Sequence, residues 1–333
     1  MTFHAQSGYT PVVNLLHIWY NNVCKSKAMA AYARIGGTMR ESIAQFCTEH
    51  QFPLEAQETL LNVYESILKT SAVREIFFRT REEYDQNPQI DYQDKLSSLQ
   101  KACLEENISP ESASLLLFII LVPRLTRYYE QASLPVEICR ASMDDLKWKL
   151  LECRRVHGIW GSFVSWWFPG FFMLKRFTLG RLQFELTPFP EAYEKSGRVK
   201  PQGLEQAINM HIPSSGPLRH EDCLHSYRLA ADFFRPAFPG KEIAFVCHSW
   251  LLYPENRSIL PANSRILEFM NDFDIYETEP DPQGGDLWRI FGRPDCSDTA
   301  SLPEETSLQR VYKQWLLAGG TPGAGRGLFL LQG

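Results

Sequence analysis

The hydrophobic period of this chain changes once, near His157, and that change limits it to folds with a helical half and a strand-bearing half. Ahead of it, from about Pro11 to Arg155, apolar residues recur at helical spacing. In PLEAQETLLNVYESILKTS, Leu60, Leu61, Tyr64, Ile67 and Leu68 fall on one face, which predicts burial of that face. Ser109 followed by Pro110 marks a helix start, since serine caps free amides and proline has none to leave unpaired. The run Leu115–Val122 predicts a buried helix that Pro123 ends or kinks. A last helix is expected over VEICRASMDDLKWKLLECRR.

Beyond His157 the pattern favours strands. Residues 158–174 and 176–186, rich in β-forming residues and punctuated by glycine and proline, predict neighbouring strands. A polar turn (190–203), a strand (204–212), a break and a helix follow; Cys223, Tyr227, Ala230 and Phe234 mark the helix's apolar side. Then come a strand at 242–250, a helix at 263–273, strands at 274–279 and 287–292, a helix at 307–320 and a strand at 327–331. The expected fold class is α+β: an all-helical domain over residues 1–156 and a mixed-sheet domain over 157–333, ordered βββ-α-β-α-ββ-α-β. The segments DPQGGD and PDCSDTASLPEET read as surface loops.

Charge narrows the partners. Lysine and arginine total 34 against 39 acidic residues, a net charge of −5, which gives no general field for nucleic acid. The cysteines are scattered, without a C-x-x-C pair, and read as thiols of a reducing compartment. The opening MTFHAQSGYT has no secretory pattern, and Leu115–Val122 is too short to cross a bilayer. A cytoplasmic location without membrane contact is therefore expected.

The break HIPSSGPLRHEDCLHSY carries the strongest functional signal. A strand that runs into a tight turn before a helix leaves the helix's first amides unpaired and facing the turn. Ser214 and Ser215 add hydroxyl donors, and Gly216 permits close approach of a ligand to the backbone. A diphosphate suits such a place; an ordinary turn is the competing reading. No Walker motif is present, and the GAGRG segment (323–327) precedes a strand rather than a helix, so it reads as a flexible turn, with a glycine backbone that lines a pocket as the alternative. His211, His220, His225 and His248 match no metal-binding spacing, and no metal is expected.

The stretches LGRLQFEL (179–186), HIPSSGPL (211–218), CHSWLLYP (247–254) and LPANSRILEFMNDFDI (260–275) together resemble bacterial GNAT-like acyltransferases that carry a separate helical amino-terminal domain. The resemblance implies two parallel strands, here 205–212 and 242–250, that splay to admit the pantetheine of an acyl-CoA. It places the CoA diphosphate on Ser214, Ser215, Gly216 and Leu218, and gives Asn263 the position of an asparagine that opens a helix ending near Phe273. Two features depart from the family pattern. The diphosphate loop lacks the form Gln/Arg-x-x-Gly-x-Gly/Ala, and Glu268 or Phe269 stands where many relatives have an acidic tyrosine.

Acyl transfer to an amine needs a base, and histidine supplies one near neutral pH. His211 ends the first splayed strand and is the candidate base or orienting group. Strand alternation puts Cys247 and Ser249 on one face, His248 and Trp250 on the other. Ser249 is a candidate donor to the carbonyl or sulfur; Cys247 is a candidate nucleophile if His211 lies near it. Trp250 and Tyr227 are candidates for an acceptor pocket. The expected activity is acyl-CoA-dependent N-acyl transfer, acetyl or longer, to a small amine through a ternary complex. Its rivals are a catalytically inactive binding protein of the same fold and a covalent route through Cys247.

Overall fold

A computed structural model describes residues 38–332. The helical reading of residues 11–37 and Cys24 lie outside them. Six helices form the first half: α1 (Met39–Glu49), α2 (Leu54–Lys69), α3 (Ser71–Gln86), α4 (Tyr92–Glu105), α5 (Pro110–Gln131) and α6 (Val136–His157). Ser109 caps α5 through the amide of Ser112, as its position before Pro110 predicts. Every residue from Ser112 to Val122 is buried, so α5 is the central helix around which the others pack. Pro123 does not end it. The helix continues to Gln131, because buried Leu125, Tyr128 and Tyr129 hold the next turns in place despite the missing amide.

Residues 158–174 do not form the expected strand. They make a short turn at Ser165–Trp167 and a one-turn helix, α7 (Pro169–Phe172). Tertiary burial overrides the strand composition here: Phe168 and Phe172 pack on Phe118 at ring distances of 5.0 and 4.9 Å. Gly161 lies against the backbone of Glu111 and Ser112, where a Cβ would approach to 2.5 Å.

The second half holds six strands: β1 (Arg176–Leu179), β2 (Leu182–Pro188), β3 (Gln206–His211), β4 (Glu242–Ser249), β5 (Asp274–Pro280) and β6 (Gly323–Gln332). Their order is β1-β2-β3-β4-β6-β5, and the β3–β4 pair is parallel while the other pairs are antiparallel. Short helix α8 (Glu191–Lys195) joins β2 to β3. Helix α9 (His220–Phe234) follows β3, and α10 (Asn256–Ile259) with α11 (Arg265–Met270) follow β4. Between β5 and β6 lie α12 (Leu287–Phe291) and α13 (Ser307–Leu317).

Helix α12 occupies the place where a strand was expected. Leu287, Ile290 and Phe291 are buried together, a spacing that suits one side of a helix, and Gly292 ends it at φ +66°. The GAGRG segment is no flexible turn either. Gly323, Gly325 and Gly327 alternate along β6 on a face so close to Tyr253, Leu252 and Phe273 that any Cβ there would fall within 2.7 Å of them.

The two faces of the sheet differ in chemistry. Phe177, Phe184, Ile208, Met210 and Phe245 point toward α9, where Phe177 meets Phe233 at 4.8 Å and Tyr227 meets Phe245 at 5.9 Å. Arg176, Gln183, Glu185, Asn209 and His211 occupy the opposite face of β1, β2 and β3, toward α6 and the aromatic turn. Helix α6 covers the β1 edge, and Ser142 Oγ accepts the Thr178 amide at 2.9 Å. Phe245 is fully buried and stacks on Phe329 at 4.9 Å. Phe245→Ala is expected to destabilise the protein by about 3–5 kcal/mol, read as a lower denaturant midpoint; an unchanged midpoint contradicts this account of the core.

Candidate active site

Strands β3 and β4 pair only at Ile208↔Phe245 and Asn209↔Val246. Past that point each stays with its outer neighbour: Gln183 still pairs with His211, and Ser249 with Gly325. The inner edges part, and Pro213, without an amide, cannot extend the ladder. A cavity of about 360 Å³ occupies the opening, lined by His211, Pro213, His248, Ser249 and Trp250 and closed by Lys149 of α6 and by Trp166 and Trp167 of the aromatic turn. A larger, open groove of about 950 Å³ lies at the other end of the strands, but no histidine, cysteine or tyrosine lines it.

His211 is the most elaborately held side chain in the cavity. Its Nε2 lies 2.7 Å from Glu185 Oε1, and Glu185 is gripped by Arg176, with Nη2 at 3.0 Å from Oε2. Arg176 also donates to the Trp167 carbonyl at 2.8 Å and stacks over that indole at 3.5 Å, while the Trp167 ring meets His211 edge-on at 4.8 Å. Burial pushes the Glu185 carboxyl up, but the His211 hydrogen bond and the Arg176 charge outweigh it and bring the pKa down to about 2. Glu185 is thus ionised and can only accept. His211 Nε2 therefore carries the hydrogen of that bond, and Nδ1 keeps its lone pair in the neutral ring. Burial lowers the His211 pKa below its ordinary value by more than the Glu185 hydrogen bond raises it, and Arg176 lowers it further. At neutral pH the ring is an uncharged, oriented base.

Glu185 and Arg176 escape a reading of motifs, because their relation to His211 depends on strand register. Glu185 stands opposite Asn209 and reaches His211 diagonally.

The turn between β3 and α9 holds Ser214, Ser215, Gly216 and Leu218 together, partly or fully exposed at the mouth of the opening. None of their amides meets an acceptor among the described residues. Ser214 Oγ donates to Glu152 on α6 at 2.6 Å, which ties the turn to the first half. Gly216 takes φ +113°, and the space above its Cα is open.

Other sequence candidates stand elsewhere. Cys247 shares the Phe245 side of β4, so it lies on the sheet face opposite His211; it is buried, and burial pushes its thiol up to about 12. Tyr227 packs in the core under α9, with its hydroxyl 3.0 Å from Asp272, and does not line the cavity. Asn263 is exposed in the loop before α11, and Ser264 caps that helix through the Ile266 amide in its place. Ser249 and Trp250 do line the cavity with His211. The Ser249 oxygen accepts the Leu251 amide at 3.2 Å, which leaves its hydroxyl hydrogen free.

Two family models divide the chain. Residues 41–174 match an N-acyltransferase N-terminal domain and residues 176–329 a GNAT-like C-terminal domain. The chain belongs to the GNAT-like N-acyltransferases. Solved structures similar to this acyltransferase include an acyltransferase in complex with decanoyl-CoA, at 22% identity and a TM-score of 0.70, covering 86% of each chain. An acyltransferase in complex with decanoyl-CoA and teicoplanin matches at 21% identity, TM-score 0.69, over 87% of this chain and 88% of that one. A mutant acyltransferase in complex with octanoyl-CoA matches at 20% identity, TM-score 0.69, over the same shares. No curated protein sequence matches the chain. No described helix of the acyltransferase is long and apolar enough to cross a membrane.

The site predicts a titration. In Glu185→Gln the hydrogen bond to an anionic partner disappears, and that bond holds the His211 pKa up. The His211 pKa, already below 6.5, should therefore fall further, followed by the ring C–H resonances in an NMR titration. A rise on substitution contradicts the assigned bond.

Proposed function

We propose that the chain is an acyl-CoA-dependent N-acyltransferase that moves the acyl group directly to an amine in a ternary complex. The observation that carries this reading is the opening between β3 and β4, with an oriented histidine on one lip and free loop amides at its mouth. Acyl-CoA complexes of structures with the same fold support the donor, and the teicoplanin complex supports a small-molecule acceptor.

In this reading the CoA diphosphate rests on the amides of Ser214, Ser215, Gly216 and Leu218. The pantetheine lies along the unpaired inner edges of β3 and β4, whose backbone groups suit its amides. The thioester then reaches the cavity beside His211. The amine nitrogen attacks the carbonyl carbon as its proton passes to His211 Nδ1. Glu185, fixed by Arg176, stabilises the imidazolium that results. The C–S bond breaks, and the imidazolium is available to return a proton to the thiolate. Ser249 offers its free hydroxyl hydrogen to the carbonyl oxygen or the sulfur. Trp250 forms part of the acceptor wall.

The placement of Cys247 disfavours a covalent route. Its thiol is protonated at neutral pH, and His211, held by Glu185, is across the sheet.

Calorimetry should show binding of decanoyl-CoA by the wild type; absence of binding by this and shorter acyl-CoAs removes the donor assignment. His211→Ala should lower turnover by about 10²–10⁴-fold with little change in acyl-CoA affinity. The wild-type rate should rise with pH through the His211 pKa, below the ordinary 6.5, and then level off, because deprotonation creates the active base. Cys247→Ser should retain turnover, and intact-mass measurement should find no acyl group on Cys247 of the wild type.

A further inference from the structure

Resting on the diphosphate assignment above, we infer that Arg181, at the β1–β2 turn, is the positioning residue that makes the 214–218 turn an anion site. The turn lacks the glycine spacing that usually exposes loop amides, so another group must set its peptide planes. Arg181 does this from below. Its Nη2 donates to the Gly216 carbonyl at 2.8 Å, and its Nε donates to the Pro217 carbonyl at 3.2 Å. All peptide bonds in the described chain are trans, so each N–H points away from the carbonyl in its own plane. With the Pro217 carbonyl turned toward Arg181, the Leu218 amide is turned away from it and toward the outer side of the turn.

Arg181 is itself anchored. Its own amide donates to Ser226 Oγ at 2.7 Å, in the second turn of α9. Gly180 beside it takes φ +70°, and a Cβ there would meet the same Ser226 oxygen at 2.6 Å. One residue thus links the β1–β2 turn, the body of α9 and the loop that leads into α9. The spacing of these three is fixed without any contact from the ligand.

Charge gives the second argument. The first turn of α9 carries Glu221 and Asp222. These carboxylates offset the positive end of the helix, so the helix terminus alone is a poor host for a diphosphate. Arg181 supplies a cation directly under the turn, and its Nη1 is buried without a protein acceptor among the described residues. It therefore contributes both the orientation of the Leu218 amide and the charge that the acidic neighbours remove.

The test compares three probes by calorimetry: decanoyl-CoA, its 3′-dephospho form and decanoyl-pantetheine, which lacks the diphosphate. Arg181→Ala should weaken both diphosphate-bearing probes by about tenfold or more and leave decanoyl-pantetheine within about twofold. Arg181→Lys, which keeps the charge but cannot span two carbonyls, should fall between wild type and alanine. Equal weakening of all three probes, or of none, overturns the role of Arg181. Loss of binding only for the probe that carries the 3′-phosphate overturns it as well. A wild type that binds decanoyl-pantetheine as tightly as decanoyl-CoA overturns the diphosphate assignment itself, and that result is read before any variant is made. Should Arg181→Ala not fold, Arg181→Lys and Arg181→Gln carry the same comparison.

Discussion

The structure depends on two strands that are each held from outside and released from each other. β3 remains bound to β2 through His211, and β4 remains bound to β6 through Ser249, although the two inner strands share only two register pairs. Neither strand frays, because its outer ladder is complete. The sheet can therefore keep an internal gap with main-chain groups on both sides, without the disorder that usually accompanies unpaired strands. The position of every candidate group follows from this: His211 on one lip, Ser249 and Trp250 on the other, and the exposed turn just beyond.

The first half of the chain completes the site rather than standing beside it. Asp145, Lys149 and Glu152 occupy one face of α6 at helical spacing, and all three meet the second half or the cavity. Asp145 accepts from Gln183 at 2.7 Å, Lys149 pairs with Glu152 at 2.9 Å while lining the cavity, and Glu152 takes the Ser214 hydroxyl. A polar line thus runs along α6 from the strand that carries Glu185 to the turn at the mouth. Burial raises the Asp145 carboxyl pKa, opposed by Lys149 and the Gln183 hydrogen bond, so this line is costly to desolvate and sensitive to its partners.

Much of this was legible in the sequence, for identifiable reasons. The change of period at His157, the strand that ends at His211 and the polar turn before α9 are local patterns, and local patterns survive folding. The aromatic segment at 158–174 has a composition that favours strands, whereas the partner that decides its shape, Phe118, lies some fifty residues away on α5. Residues 287–292 show the same ambiguity, a short apolar run that fits either period. Glu185 left a faint signal: Gln183 and Glu185 alternate on β2 just as Asn209 and His211 do on β3. Only pairing of the strands turns those two alternations into one cluster. The glycines of β6 have strand spacing too, but the residues that crowd them, Leu252, Tyr253 and Phe273, lie far away in sequence.

The Ser142 contact to Thr178 has a consequence for how the chain can be divided. β1 is an outer strand, and its exposed side is shielded by a helix from the preceding half. A fragment cut at the junction would bare that margin together with the phenylalanines behind it, and other copies would find a ready template for sheet extension. The amino-terminal helices thus cover a sheet edge as well as forming a wall of the cleft.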